Sequence, residues 1–385
     1  MLSSSYGFAS VASPDWATCV ANLQHTAKEQ GVLQSTIDHT LANVKFVPKV
    51  IELDGKQPEF SASFDNYFSK RVTDWRVKQG RKYYKKHSAL LQKLAKQYGV
   101  PPQYLLAFWG LETNFGSYKG NMPVLNSLAT LACDPRRSGY FTQELMQALK
   151  LKDQYDLDAT QMIGSWAGAM GHTQFMPSAY AQYAVDADGD GKADLWNSTE
   201  DALSSAAHFL QALGWKRGER WGREVSLPTN FTYSALGKSE ALPLKQWARL
   251  GVKKANGDQL STPDLQAALY VPSGAQGPAF LGYNNFNVIM KWNRSVFYAI
   301  AVGHLADRIN GAAGLHTPPP KAANLSRKKV KALQGRLNKL GYDVGEPDGI
   351  MGAKSSKGLR QFQQAQGLVA DGFPSQQVFQ ALGIK

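Results

Sequence analysis

The stretch from Pro101 to Gly116 constrains this chain more than any other. Tyr104, Leu105, Phe108 and Trp109 recur at helical spacing, and Pro101-Pro102 suits a first helical turn. Glu112 follows Leu105 by seven residues, Phe108 by four and Trp109 by three. That periodicity puts a carboxylate on the face that should be buried. Gly116 is the expected residue just past the helix, so Glu112 falls in the last turn, where the helix dipole opposes negative charge. Burial against aromatics acts in the same sense, and a raised pKa is the expectation. Such a carboxyl keeps its proton near neutral pH and can then donate it. Taken alone, Leu-Glu-Thr is more often a helix end with its Glu in solvent; the rest of the chain decides.

With 385 residues there is room for two or three domains, and 43% hydrophobic with 11% aromatic residues describes a globular protein. The formal charge of +13 calls for an anionic partner: nucleic acid, anionic lipid or an acidic polymer. No run approaches the ~18 apolar residues of a membrane span, so no membrane insertion is expected. Met1-Leu2-Ser3-Ser4-Ser5 carries no basic or apolar leader, so no signal peptide is visible. The protein is then either cytosolic or recorded after removal of an export signal. Cys19 and Cys133 allow one disulfide or two buried thiols.

Along the chain, Ser13-Pro14-Asp15 opens a helix carrying Trp16, Cys19, Val20, Leu23 and Ala27, and Gly31 ends it. A second helix runs through Ile37, Leu41 and Val44. A third reads from Phe64 through Phe68, Val72 and Trp75 into the basic face Lys78, Arg81, Lys82, Lys85 and Lys86, which suits a solvated surface. Residues 88–100 lead into the Glu112 helix. Helical character continues over 120–213 between Gly-rich turns. From about 215 to 284 the composition shifts: Val225–Pro228, Ala268–Val271 and Ala279–Tyr283 read as short strands of a small β insertion. Helix returns over 285–310. Residues 313–325 form a Pro-rich linker stiffened by Pro318-Pro319-Pro320. Residues 326–385 then make a compact unit of three helices with turns at Asp348-Gly349 and Asp371-Gly372. From Asn324 onward ten Lys/Arg stand against four Asp/Glu.

Gly164 to Ser178 is a second informative stretch, where small residues admit another backbone or a flat ligand. Ser165 and Gln174 would supply hydrogen bonds in an otherwise apolar groove. His172 is isolated and reads as structural or surface. Asp186-Ala187-Asp188-Gly189-Asp190-Gly191-Lys192 matches the opening of an EF-hand loop, with carboxylates at positions 1, 3 and 5, Gly at 6 and the Lys192 carbonyl at 7. Position 12 is Asn197 rather than Glu, leaving Asp194, Glu200 and Asp201 as candidates to complete a Ca²⁺ shell. Ordinary glycosidases need two carboxylates. None partners Glu112 within the glycine-rich stretch, though Asp134 or Glu144 could approach in space.

Together Phe108–Gly116, Ser165–Ser178, the Asp186 loop and Asn285–Asn293 resemble, in order and spacing, the lytic murein transglycosylase B family across most of residues 15–310. Residues 326–385 resemble a peptidoglycan-binding type 1 module, with its LQ…LGY…DG…FQ…GL…DG pattern. The resemblance implies a mainly α fold: a lysozyme-like α-helical catalytic domain with an extra helical domain and a small β insertion over 1–312, plus a C-terminal three-helix peptidoglycan-binding module. It implies non-hydrolytic cleavage of the MurNAc-β-1,4-GlcNAc bond, with Glu112 as the single acid and then base. Ser165, Gln174, Phe209, Trp292, Asn293 and Tyr298 match glycan-binding positions, Trp292 and Phe209 standing where Tyr can occur. The implied metal site is a structural Ca²⁺ loop, Asp186, Asp188, Asp190 and Lys192, closed by Asp201, with no organic cofactor. The module departs from its pattern at Met351, Ser355-Ser356 and Phe373-Pro374. The implied setting is the periplasm, with peptidoglycan glycan strands as partner and other cell-wall enzymes as a further class. A muramidase cutting the same bond and a non-catalytic cell-wall scaffold are the alternatives. No nucleic acid partner is expected, because the basic residues are not interleaved with a nucleic-acid motif.

Overall fold

Asp15 starts the first helix, Trp16–Glu29, by accepting the backbone N–H groups of Ala17 and Thr18 at 2.8 and 3.2 Å. The computed structural model describes residues 15–55, 62–233 and 236–384. Ser13 and Pro14, read above as part of this helix start, lie outside the described residues, as does Lys385. The chain forms two compact units. One comprises the described residues up to 55 with Gly116–Ser205, and the other those from 62 to Phe115 with those from Ala206 onward.

In the first unit, helix Val124–Ala132 packs against Ser138–Gln154, which also receives Pro177–Tyr183. Cys133, the C-cap of Val124–Ala132, is disulfide-bonded to Cys19 on the first helix. Met122–Pro123 and Ile163–Gly164 pair as a two-stranded antiparallel sheet. A Cβ at Gly164 would collide with the carbonyl of Ala169, so the small residues there serve close backbone approach. The expected helix through Ile37, Leu41 and Val44 is shorter: Gln34–His39 ends and a 3₁₀ turn, Leu41–Asn43, follows. The Asn43 amide donates to the His39 carbonyl at 3.1 Å and closes the α-helical run.

The second unit is built around helix Pro102–Thr113. Leu105, Leu106, Ala107 and Phe108 are fully buried, and the helix is enclosed on all sides rather than along one stripe. Helices Asp74–Lys86, Ser88–Tyr98 and Val296–Ile309 surround it. The single helix expected from Phe64 to Lys86 is two, Phe64–Arg71 and Asp74–Lys86. Thr73 interrupts the run, its hydroxyl capping the Arg76 N–H at 3.2 Å, and Trp75 is left exposed. The β insertion is a five-stranded antiparallel sheet in the order Leu242–Pro243, Gln266–Tyr270, Ala279–Gly282, Gly222–Ser226, Lys253–Lys254. Its edges are two residues long and one carries a proline, which protects them from further pairing. Val225, Leu244, Trp247, Leu269 and Leu281 form its core.

Residues from 326 onward hold their own core of Leu333, Leu337, Val344, Leu359, Phe362, Val378 and Leu382, under helices Arg327–Lys339, Ala353–Ala365 and Gln376–Ala381. Its two Asp-Gly turns are built alike. Buried Gln334 donates to Asp348 Oδ1 at 2.9 Å and accepts Gly349 N–H at 2.8 Å. Buried Gln363 does the same with Asp371 and Gly372, at 2.9 and 2.8 Å. The linker is fastened along its length: Glu224 accepts the N–H groups of His316 and Thr317, and Asn324 accepts that of Ser63.

Candidate active site

Glu112 sits in the last turn of Pro102–Thr113, half-buried, and one of its oxygens receives two donors. Trp292 Nε1 donates to Oε1 at 3.0 Å, and the Tyr298 hydroxyl donates to the same atom. Trp292 ends helix Asn284–Trp292, and its ring lies 4.6 Å from Phe108 and 5.1 Å from Phe209, centroid to centroid. An indole at this position therefore contributes an N–H donor as well as an aromatic wall. Tyr298 lies in the first turn of Val296–Ile309, whose N-cap Ser295 accepts the Tyr298 N–H at 3.3 Å. Burial, and then the charge of Glu112, push the Tyr298 phenol well above its ordinary pKa, so it stays protonated and keeps donating. Sequence reading missed Ser295, although a Ser just ahead of a helical run is a recognisable cap signal.

The helix ends earlier than Gly116 suggests. Asn114 (φ 48°), Phe115 (φ 61°) and Gly116 (φ 80°) are all left-handed, and the turn begins at Asn114. Phe115 folds back over Gly110, where a Cβ would stand 2.7 Å from its ring. Asn293 joins the two helices that carry Trp292 and Tyr298, its carbonyl accepting the Ser295 N–H at 2.8 Å. Glu112, Phe209, Trp292 and Tyr298 are thus brought together, with Asn293 beside them in the chain.

Ser165 and Gln174 belong to the other unit, where both shape their own loop. Ser165 Oγ accepts the N–H groups of Ala167 and Ala169 at 3.3 and 3.0 Å. Gln174, itself left-handed at φ 51°, donates from Nε2 to the carbonyls of Lys119 and Gly171 at 3.0 and 3.1 Å. His172 is buried, and burial takes its pKa down to about 4, so it is a neutral core residue. The two candidate partner carboxylates are spent on local structure. Glu144 accepts the Ser178 N–H at 2.9 Å and its hydroxyl at 2.7 Å, while Asp134 accepts the Arg136 N–H at 3.0 Å.

In the Asp186 loop, oxygens of Asp186, Asp188 and Asp190 lie within 4.8 Å of one another, all three side chains exposed. Asp186 accepts the N–H groups of Gly189 and Gly191 at 2.7 and 2.9 Å, and both glycines are left-handed. Lys192 N–H donates to Asp190 Oδ1 at 2.9 Å. Three hard oxygen donors at this separation repel one another and fit a Ca²⁺-sized cation. Asp201 lies in the first turn of Thr199–Ala212, the helix that follows the loop. It is fully buried, burial raises its pKa, and its two oxygens accept the N–H groups of Ala187 and Asp194, each at 2.8 Å. These two bonds tie the loop's two ends together.

A carboxyl steadied on one oxygen by a phenol and an indole, at the end of a buried helix and walled by aromatic rings, is equipment for acid–base cleavage of a glycan. Residues 15–307 match the transglycosylase SLT domain, and residues 326–382 match a peptidoglycan binding domain. The chain belongs to the lytic transglycosylase family so defined, and it is a peptidoglycan lytic transglycosylase. It is 33% identical over 298 residues to membrane-bound lytic murein transglycosylase B of Escherichia coli, covering 73% of this chain and 79% of that one. The crystal structure of SltB3 from Pseudomonas aeruginosa in complex with NAG-anhNAM-pentapeptide is similar at TM-score 0.91 and 41% identity, over 96% of this chain and 99% of that one. The Escherichia coli lytic transglycosylase Slt35 in complex with calcium is similar at TM-score 0.67 and 29% identity, over 76% and 92% of the two chains. Among the described residues, no helix is long and apolar enough to cross a membrane.

Proposed function

We propose that Glu112 cleaves the MurNAc-β-1,4-GlcNAc bond by serving first as acid and then as base. The observation that carries this reading is the pair of donors, Tyr298 O–H and Trp292 Nε1–H, on Glu112 Oε1. Protonated Glu112 gives its proton to the leaving O4 as the C1–O4 bond breaks and an oxocarbenium-like centre develops at C1. The muramic N-acetyl oxygen shields that centre from within the substrate, so no second enzyme carboxylate is required. The carboxylate left on Glu112, stabilised by its two donors, takes the proton from the C6 hydroxyl as that oxygen bonds to C1. The product is a 1,6-anhydro end, and the ligand in the SltB3 complex supports this outcome. Phe209, Trp292, Asn293 and Tyr298 are the glycan-binding residues around Glu112, and Ser165 and Gln174 are glycan-binding residues of their own loop. Digestion in water labelled with heavy oxygen should give ends lacking the label and lighter by one water. Label at C1 would mean hydrolysis and the muramidase alternative.

Asp186, Asp188, Asp190 and the Lys192 carbonyl hold a structural Ca²⁺ in a shell closed by Asp201; the calcium complex of Slt35 supports this. Binding to the folded state alone stabilises it by about 2.7 kcal/mol at a hundredfold excess over Kd. Millimolar Ca²⁺ should therefore raise the melting temperature above that in excess chelator. Identical melting in the two, with metal content checked by elemental analysis, would overturn the site.

The division is a catalytic region 1–312, a linker 313–325 and a module 326–385, supported by the module's separate core. A chain ending at 312 should keep turnover on short soluble glycans and lose retention on intact sacculi; loss of both in a well-folded truncation contradicts the division. The compartment is the periplasm. The peptidoglycan substrate and the Cys19–Cys133 disulfide both favour an oxidising, extracytoplasmic location.

A further inference from the structure

The break between helices Phe64–Arg71 and Asp74–Lys86 aims an arginine at the end of the Glu112 helix. Arg76 is half-buried, and all of its side-chain hydrogen bonds go to carbonyl oxygens. Nη1 donates to the carbonyls of Lys70 and Arg71 at 2.6 and 2.9 Å. Nε donates to the Gly110 carbonyl at 3.1 Å and to Asn114 Oδ1 at 3.0 Å, and Nη2 donates to Asn114 Oδ1 at 2.7 Å. Lys70 and Arg71 end one helix, and Gly110 is among the last four carbonyls of the other. Such carbonyls have no partner within their own helix and carry the negative end of its dipole. A single planar cation thus fastens two helix C-termini to each other, which the point charge of a lysine cannot reproduce.

What this clamp holds is strained. Asn114 and Phe115 are consecutive non-glycine residues in the left-handed region, a conformation that persists only where the surroundings impose it. Glu112 lies between Gly110 and Asn114, the two points gripped. Arg71, whose carbonyl Arg76 holds, stands with its guanidinium 5.3 Å over the Tyr67 ring, and both side chains lie near enough to Tyr298 to influence its titration.

We infer that Arg76 is a positioning residue for the acid–base step: by locking the Asn114–Phe115 turn it aims the Glu112 carboxyl at Tyr298 and Trp292. This rests on the reading of Glu112 as acid and base. The test uses the full chain with Asn114→Gly, Arg76→Lys and, as control, Glu112→Gln, measuring kcat, KM and melting temperature on a soluble glycan. Glycine accepts φ 48° without strain but removes the Oδ1 that Arg76 grips, so Asn114→Gly separates stability from aim. It should keep the wild-type melting temperature and KM while kcat falls about tenfold, and Arg76→Lys should lower kcat by about ten- to a hundredfold. Wild-type kcat in Asn114→Gly, or a change confined to KM, overturns the inference. If Glu112→Gln is inactive in the same assay, that failure belongs to Arg76 alone. Activity retained in Glu112→Gln would overturn the reading of Glu112 instead.

Discussion

Glu112→Gln should lower turnover by ~10²–10⁴-fold or more while leaving glycan binding largely intact. The amide has the shape of the carboxyl, and its oxygen can still accept from Tyr298 and from Trp292 Nε1, the latter now at 3.0 Å from Oε1. Burial of Phe108 and Trp109 beneath it is unaffected, so the melting temperature should stay close to that of the parent. What the amide cannot do is release and recover a proton. The leaving O4 then departs unprotonated, and the C6 hydroxyl attacks without a base. The expected loss corresponds to roughly 3–5 kcal/mol of transition-state stabilisation. Single-turnover digestion of a defined glycan, with affinity measured separately, checks both halves. A variant within tenfold of parental turnover would remove Glu112 from the chemistry and with it the mechanism proposed above.

The elements of this site were legible to different depths, for physical reasons. Glu112 could be found because its surroundings are local: Leu105, Phe108 and Trp109 lie on the same helix at fixed spacings. The donors on its Oε1 come from residues 180 and 186 positions away, and only helix packing brings them there. The loss of a hydroxyl at Trp292 was readable in the sequence, but the compensating indole N–H bond was not. The helix from Phe64 to Lys86 looked continuous because Phe64, Phe68, Val72 and Trp75 keep the helical period. A local hydrogen bond from the Arg76 N–H to Thr73 outweighs that pattern. Gly116 was the natural choice for the left-handed stop, yet Asn114 takes the role first, helped by its amide contacts with Arg76.

The same contrast governs the loop and the module. The acids at 186, 188 and 190 converge because their spacing is short and their glycines turn the chain. Asp201, which the resemblance adds to the metal set, also accepts the Ala187 and Asp194 N–H groups, and no spacing in the sequence announces those bonds. In the module, the departures from pattern leave the turns intact. Phe373 still donates its N–H to Asp371 at 2.9 Å and accepts from Gln363 at 3.2 Å, and Ser355 Oγ still accepts from Gln334 at 3.0 Å. Backbone groups carry most of these bonds, so the sequence can change around the two glutamines without unmaking them.

Removing the Cys19–Cys133 disulfide should cost roughly 4–5 kcal/mol of folding free energy, the loop-closure value for a cross-link spanning 114 residues. Composition could permit this bond but not choose it over two buried thiols. The fold chooses it, by placing the C-cap of Val124–Ala132 beside the first helix, with a Cα–Cα distance of 5.9 Å. The effect acts mainly through the unfolded chain, which the cross-link keeps from expanding across more than a quarter of its length. Denaturant unfolding of Cys19→Ser/Cys133→Ser should therefore show a lower midpoint and a steeper dependence on denaturant, because more surface is exposed on unfolding. Reduction of the parent should reproduce both changes. Turnover at temperatures well below the transition should be unaffected, since the double variant is folded there and neither cysteine is among the proposed site residues. Equal unfolding free energies for oxidised parent and double variant would show that the bond constrains nothing the fold does not already constrain.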